Sequence, residues 1–255
     1  MKRLFLVIIA FVATISTAQA WTKLVDDASY LIAEKYMTEA AKAECGRILA
    51  LKESVDYKWV ANGVSKVLLD TSLYSVTVDE KDIVVRLEKA AEVLRNRANH
   101  SEAEQYSALM DLRKLNIELH TISNIAIEGV EHSQSDFEFT WSAGKEGSEK
   151  YEKRGKLTWN KMWRNSFCFW HQGWSSEYYA YDINLRFNKI ANQAMQGSVR
   201  DWAHEMGLCA KPIYEWVKPG MLMRYEPRLN LEDVHLEMVA RSAYRLAALL
   251  NDVLK

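Results

Sequence analysis

Apolar residues recur at three- and four-residue intervals through most of this chain, the spacing of helices that each bury one side. Between 26 and 37, Ala28, Leu31, Ile32 and Tyr36 share a side. Thr38 then reads as the N-cap of a second helix through Ala40, Ala41, Cys45, Ile48 and Leu49. Trp59, Val60, Val64, Val67 and Leu68 predict a third. Residues 73–78 alternate and are rich in β-branched side chains, so they read as extended. Asp79 opens a further predicted helix through Ile83, Leu87, Ala90, Ala91 and Leu94. Ser101 and Glu104 fit a capping box, from which a long helix is expected past Leu109, Leu112, Leu115, Leu119 and Ile122 to Ala126. Residues 132–156 are polar and hold Gly144, Gly147 and Gly155, so the main surface loop is expected there. Helical, Trp-rich sequence resumes at 157 and continues to about 207, with a break near Gly173. Lys218-Pro219-Gly220 reads as a turn, and a last helix is expected from about 231 to 253. The pattern predicts an all-α helical bundle with one polar insertion.

Composition narrows the picture. Of 255 residues, 49% are hydrophobic and only 3 are Pro and 10 Gly, which favours helices over a sandwich of short strands. Met1-Lys2-Arg3, an apolar run over 4–12 and Ala18-Gln19-Ala20 have the order of a secretory signal peptide. A leader over 1–20 and one domain over 21–255 are therefore expected, with the protein secreted or periplasmic. Cleavage would make Trp21 the N-terminus, where its α-amine and carbonyl form a chelating pair. The net charge is −1, and losing Lys2 and Arg3 with the leader takes it to −3, which argues against binding nucleic acid through bulk positive charge. The later sequence holds no apolar run long enough to span a membrane. Cys45, Cys168 and Cys209 allow one disulfide with one thiol left over, and the sequence leaves the pairing open.

Several segments, in order along the chain, resemble the S1/P1 nuclease family: secreted, mostly helical phosphodiesterases with three clustered zinc ions, related in fold to zinc-dependent phospholipase C. Trp21 to Asp27, followed by Ala33-Glu34-Lys35-Tyr36-Met37-Thr38, is similar to the family's mature start, W-G-x-x-G-H and then A-E-x-x-L-T. Trp59-Val60-Ala61 is similar to its W-A-D, and Leu73-Tyr74 to its H-Y. The stretch from His120 through Asn124 to Val130 is similar to H-x-x-G-D-I-H-Q-P-L-H. Trp159 to Arg164 is similar to L-H-x-x-W-D, and Trp202-Ala203-His204-Glu205 to W-A-x-E. Arg245 to Asn251 closely matches the closing R-L-A-x-L-L-N.

The departures fall on the family's metal ligands. The resemblance implies residual metal candidates at Trp21, Asp26 and His120. It also implies lost ligands at Ala61, Leu73, Asn124, Val130, Asn160 and Arg164. A neutral amide at Asn124 is a poor ligand where the family has a bridging carboxylate, and a cation at Arg164 opposes a zinc ion. At most a residual zinc is implied, with no catalytic residue retained, because the metals polarise the phosphate and activate the water. Arg164 is expected to pair with Asp26 or with a bound anion. The first functional expectation is thus a pseudoenzyme with weak or no phosphodiesterase activity, acting by binding a nucleotide, another phosphate compound or a protein. One alternative is an active nuclease or phosphoesterase that hydrolyses single-stranded nucleic acid or nucleotides with a reduced metal site. The other is a structural or protein-interaction module. His120 on an apolar helical face also fits a hydrogen-bonded core histidine. Trp159, Trp163, Trp170, Trp174, Tyr178 and Tyr179 fit either a Trp-rich core or a stacking platform.

Overall fold

Helix α1 (Lys23–Tyr36) and helix α2 (Glu39–Leu49) form where the periodicity places them. Thr38 separates the two, its Oγ1 accepting the Ala41 N–H at 3.2 Å. The computed structural model of this protein describes residues 23–57, 66–74, 81–142, 144, 146–148, 154–167, 171 and 173–255. The expected leader, Trp21, Ala61, Cys168, Trp170 and most of the expected third helix lie outside those residues. Val67 and Leu68, expected at the end of that helix, instead belong to a strand, β1 (Val67–Leu69). Helix α3 (Ile83–Arg95) begins after Asp82 and not at Asp79, because the Asp82 carboxylate accepts the N–H groups of Val84 (2.8 Å) and Val85 (3.3 Å).

Helix α4 (Glu102–Leu119) opens on the expected capping box. It stops at His120, well short of Ala126. Two side chains take over its last carbonyls: Thr121 Oγ1 donates to Ile117 O at 2.9 Å, and Asn124 Nδ2 to Glu118 O at 3.0 Å. The β-branched Ile122, Ile125 and Ile127 then pass through one 3-10 turn into β2 (Ile125–Ile127), which pairs in parallel with β1, Val67 facing Ile125.

The expected surface loop carries a hairpin. Strand β3 (Glu138–Ser142) runs antiparallel to β4 (Arg154–Thr158), with Trp141 facing Gly155. A short π-helical turn, Met162–Ser166, comes after β4. Beyond it lie α5 (Ser176–Phe187) and α6 (Val199–Trp216), so the chain breaks at Gly173 (φ 93°), where a break was expected, and the last helix of the stretch runs on to 216, past the expected end at 207. Gly197, at φ 90°, makes the break before α6. Strand β5 (Leu222–Met223) adds in parallel to β3 just after the predicted turn at Lys218-Pro219-Gly220. Helix α7 (Tyr225–Val253) starts earlier than expected, because Pro227 falls in its first turn, where a missing N–H costs nothing. The protein is thus mostly helical, as expected, with two small sheets among the described residues that the all-α expectation left out.

Helix α7 packs against α1, α4 and α5, while α3 lies along α4. One core cluster gathers α2, α3, α4, α6 and the sheets, a second gathers α1 and α5, and α7 contributes to both. Among the described residues no helix is long and apolar enough to cross a membrane. Cys45 and Cys209 carry free thiols.

Candidate functional site

The end of α4 buries a run of polar side chains: Asn116, Glu118, His120, Thr121, Ser123 and Asn124. Such groups are costly to bury unless each finds a partner, so their bonds define the site. Glu118 is 2% exposed and receives both ends of the Arg164 guanidinium, Nη1 to Oε1 at 2.7 Å and Nη2 to Oε2 at 2.6 Å. Asn124 closes the ring. Its Oδ1 accepts from Arg164 Nη2 at 3.0 Å, and its Nδ2 donates to Glu118 Oε2 at 2.5 Å. Two-pronged, charge-assisted bonds of this kind are the strongest that protein side chains make. Arg164 reaches the ring from the π turn, in which the Phe167 N–H bonds back five residues to Met162 O at 3.3 Å. Nearby, Lys66 Nζ donates to Ser133 O at 3.0 Å. Burial brings its pKa down to about 8, helped by the charge of Arg164 and opposed by that of Asp136.

His120 belongs to a second network. Its Nδ1–H donates to Asn116 O at 2.6 Å, which leaves Nε2 to accept from Arg245 Nη1 at 2.8 Å. Burial, with the Arg245 charge behind it, holds the His120 pKa well below its ordinary value, so the ring is neutral. Arg245 is 1% exposed and also donates from Nε to Ala194 O at 3.1 Å and from Nη2 to Glu205. Its guanidinium lies 5.4 Å from the Trp202 ring centre. Glu205 is shared with Arg241.

These groups do not fit a zinc ion. A zinc ligand offers a lone pair, and the only one on the His120 ring faces a guanidinium. Both polar atoms of Asn124 are engaged, and Arg164 brings a cation. Asp26 is elsewhere: its Oδ2 pairs with Lys114 Nζ at 3.0 Å. Lys114 lies six residues before His120 on α4, roughly 9 Å along the axis. Burial raises the Asp26 pKa, against the opposing pull of Lys114. The expected pairing of Arg164 with Asp26 is therefore not formed, because Lys114 takes Asp26 and the buried Glu118 takes Arg164. Among the described residues no three His, Cys, Asp or Glu side chains gather as a metal-ligand group.

The remaining sequence candidates have ordinary packing roles. Leu73 is buried, with a left-handed backbone (φ 66°) that leucine rarely adopts. Asp70 holds it there, its Oδ1 accepting the N–H groups of Ser72 (2.8 Å) and Tyr74 (3.1 Å). His204 Nδ1–H donates to Leu73 O at 3.0 Å, and the Tyr74 ring stacks on the His204 ring at 5.0 Å. Val130 packs half-buried against the core, and the Asn160 N–H donates to Asp136 Oδ1 at 2.8 Å. Trp159 and Trp163 are fully buried, with Trp159 Nε1 donating to Tyr214 Oη at 3.1 Å. Those two belong to the core and not to a stacking platform.

Glu118 and Lys66 are not marked by any motif in the sequence. The one signal for Glu118 is its place between Ile117 and Leu119, on an α4 turn that is apolar on both sides. Comparison with family models and with curated proteins found no match to this chain.

Proposed function

We propose that this chain is a divergent relative of the S1/P1 nucleases, exported after loss of its leader, that does not hydrolyse phosphodiesters and acts by binding. A nucleotide or another phosphate compound is the ligand class that this relationship suggests. The observation that carries the reading is the fate of the expected ligand positions. Asn124 and Arg164, forty residues apart, bond to each other and to Glu118, while His120 spends its lone pair on Arg245. Protein hydrogen bonds thus stand where the family relationship calls for metal bonds. The contacts between motif segments lend further support. The closing segment bonds to the first through Asn251, whose Oδ1 accepts the Thr38 N–H at 2.7 Å and whose Nδ2 donates to Tyr36 O at 2.9 Å. It bonds to the fourth through Arg245 and His120, and to the sixth through Arg245 and Glu205. Burial of Leu73 in the core favours one second reading, a structural or protein-interaction module.

The test is metal content and turnover of the form beginning at Trp21, without a tag on that amine. After dialysis we expect zinc far below one per chain and no hydrolysis of single-stranded DNA. Stoichiometric zinc with chelator-sensitive hydrolysis would overturn the reading. Calorimetric titration with AMP separates the two non-hydrolytic readings, since only the first expects saturable heat.

A further inference from the structure

Helix α5 is apolar on two sides. Tyr179, Ala180 and Ile183 are buried in the second core cluster, with α1 and α7. Asn184 Oδ1 accepts from Tyr36 Oη at 3.0 Å and from Tyr244 Oη at 3.2 Å, which fixes the rotation of the helix. The outward side carries Tyr178, Tyr181 and Leu185, which are 53%, 56% and 58% exposed. Their spacing of three and four residues sets them in one stripe, roughly 10 Å long. Trp174 extends it by a turn, its ring meeting the Tyr178 ring edge-on at 4.6 Å. Large apolar side chains scattered singly over a surface are ordinary, but a contiguous run of them marks a contact. A helix that is apolar all round belongs in an interior, yet the outer side of α5 faces solvent.

Charge and shape beside the stripe say what fits over it. An acid, Glu177, stands at the start of α5, and two bases, Arg186 and Lys189, stand at its end. That order suits the helix dipole, and it also makes the face complementary to itself when turned end for end. Within the chain, Arg186 Nε pairs with Asp182 at 2.9 Å, and its side chain is 46% exposed, so the guanidinium is open to a second carboxylate. Glu177 feels the charge of Lys23, which is itself paired with Asp27. Lys189 has no ion pair among the described residues. A second α5 laid antiparallel about a two-fold axis at Tyr181 puts Tyr178 against the partner's Leu185. The same turn puts Glu177 against the partner's Arg186, and each contact occurs twice. Alongside the stripe, a groove of about 390 Å³ runs between α5 and the α1–α2 corner, lined by Leu31, Glu34, Lys35, Lys42, Glu177 and Ala180. It offers the partner's tyrosine ridge a hollow, as ridge-into-groove packing requires.

We infer that the outer face of α5 docks a second copy of this chain, antiparallel, with Tyr178, Tyr181 and Leu185 at its centre and Glu177–Arg186 pairs at both ends. The inference is independent of the nuclease relationship. Sedimentation velocity of the chain beginning at Trp21, over a range of concentrations, tests it. A contact of one helix face and its groove is expected to give a reversible dimer with Kd on the order of 10 µM. Glu177→Arg and Arg186→Glu each set like charges against one another and should weaken the dimer about tenfold or more. An equimolar mixture of those two variants should associate again, because each then meets the opposite charge. Leu185→Glu should leave a monomer. Circular dichroism confirms that each variant is folded, since all three positions are exposed. A wild-type monomer at every concentration, a dimer indifferent to Leu185→Glu, or no association in the mixture would each overturn the inference.

Discussion

Arg164 and Glu118 show how much a single buried charge depends on its partner. The Glu118 side chain is 2% exposed and that of Arg164 18%, so the carboxylate has no water to fall back on. Arg164→Met strands the carboxylate and is expected to cost about 3–5 kcal/mol in urea unfolding. Removing both charges, with Arg164→Met and Glu118→Gln together, should cost less than Arg164→Met alone, because the isolated charge is the expensive state. If the two single losses simply add in the double variant, the pair is not coupled as described. Arg164 itself was legible in the sequence as a cation at an odd position. Its partner was not, since a glutamate on a long helix looks like any solvated surface charge until the opposite element is known.

Among the elements, α6 is held to β1 and the Leu73 turn by an absence. A Cβ at Gly207 would collide with Leu69 Cδ1 and come within 3.3 Å of Leu73 Cβ. Gly207→Ala is therefore expected to destabilise by about 1–3 kcal/mol through overpacking, although alanine is the better helix former. A thermal melt at or above wild type would show that the contact relaxes freely. Elements that declare themselves locally were the readable ones: α1, α2 and the start of α4 carry 3.6-residue periodicity, and α2 and α4 add a cap. Strands β1 and β2 were hidden because three residues hold too little pattern, and their pairing joins positions 67 and 125. The β3–β4 hairpin was masked by the polar, glycine-containing stretch around it. The π turn has no local signature at all.

For the molecule as a whole, buried imidazoles tie stability to pH. Burial holds His120 far below its ordinary pKa of 6.5 and brings His235 down to about 3, with His171 adding a smaller downward push on His235. The folded state keeps both rings neutral, while the unfolded chain protonates them near 6.5. Their contribution is therefore complete above about pH 6.5 and is lost as pH falls, at up to about 1.4 kcal/mol per pH unit for each ring. Between pH 6.5 and 5, His235→Gln should show a slope of stability against pH shallower by about that amount. A slope parallel to wild type would mean that His235 charges freely in the fold.

The stitching of α7 into the earlier elements also fixes an order of events. Arg245 satisfies His120, Asn251 satisfies Thr38 and Tyr36, and the carbonyls of Val253 and Lys255 receive Arg97 at 3.1 and 3.0 Å. During synthesis every one of those earlier groups leaves the ribosome before its partner exists. The N-terminal helices carry their own local signals, yet the interior they enclose stays open to water until the C-terminal half of α7 arrives. Folding of this chain is thus a closing step that waits for α7, and until then a holding factor has access to the partners of His120.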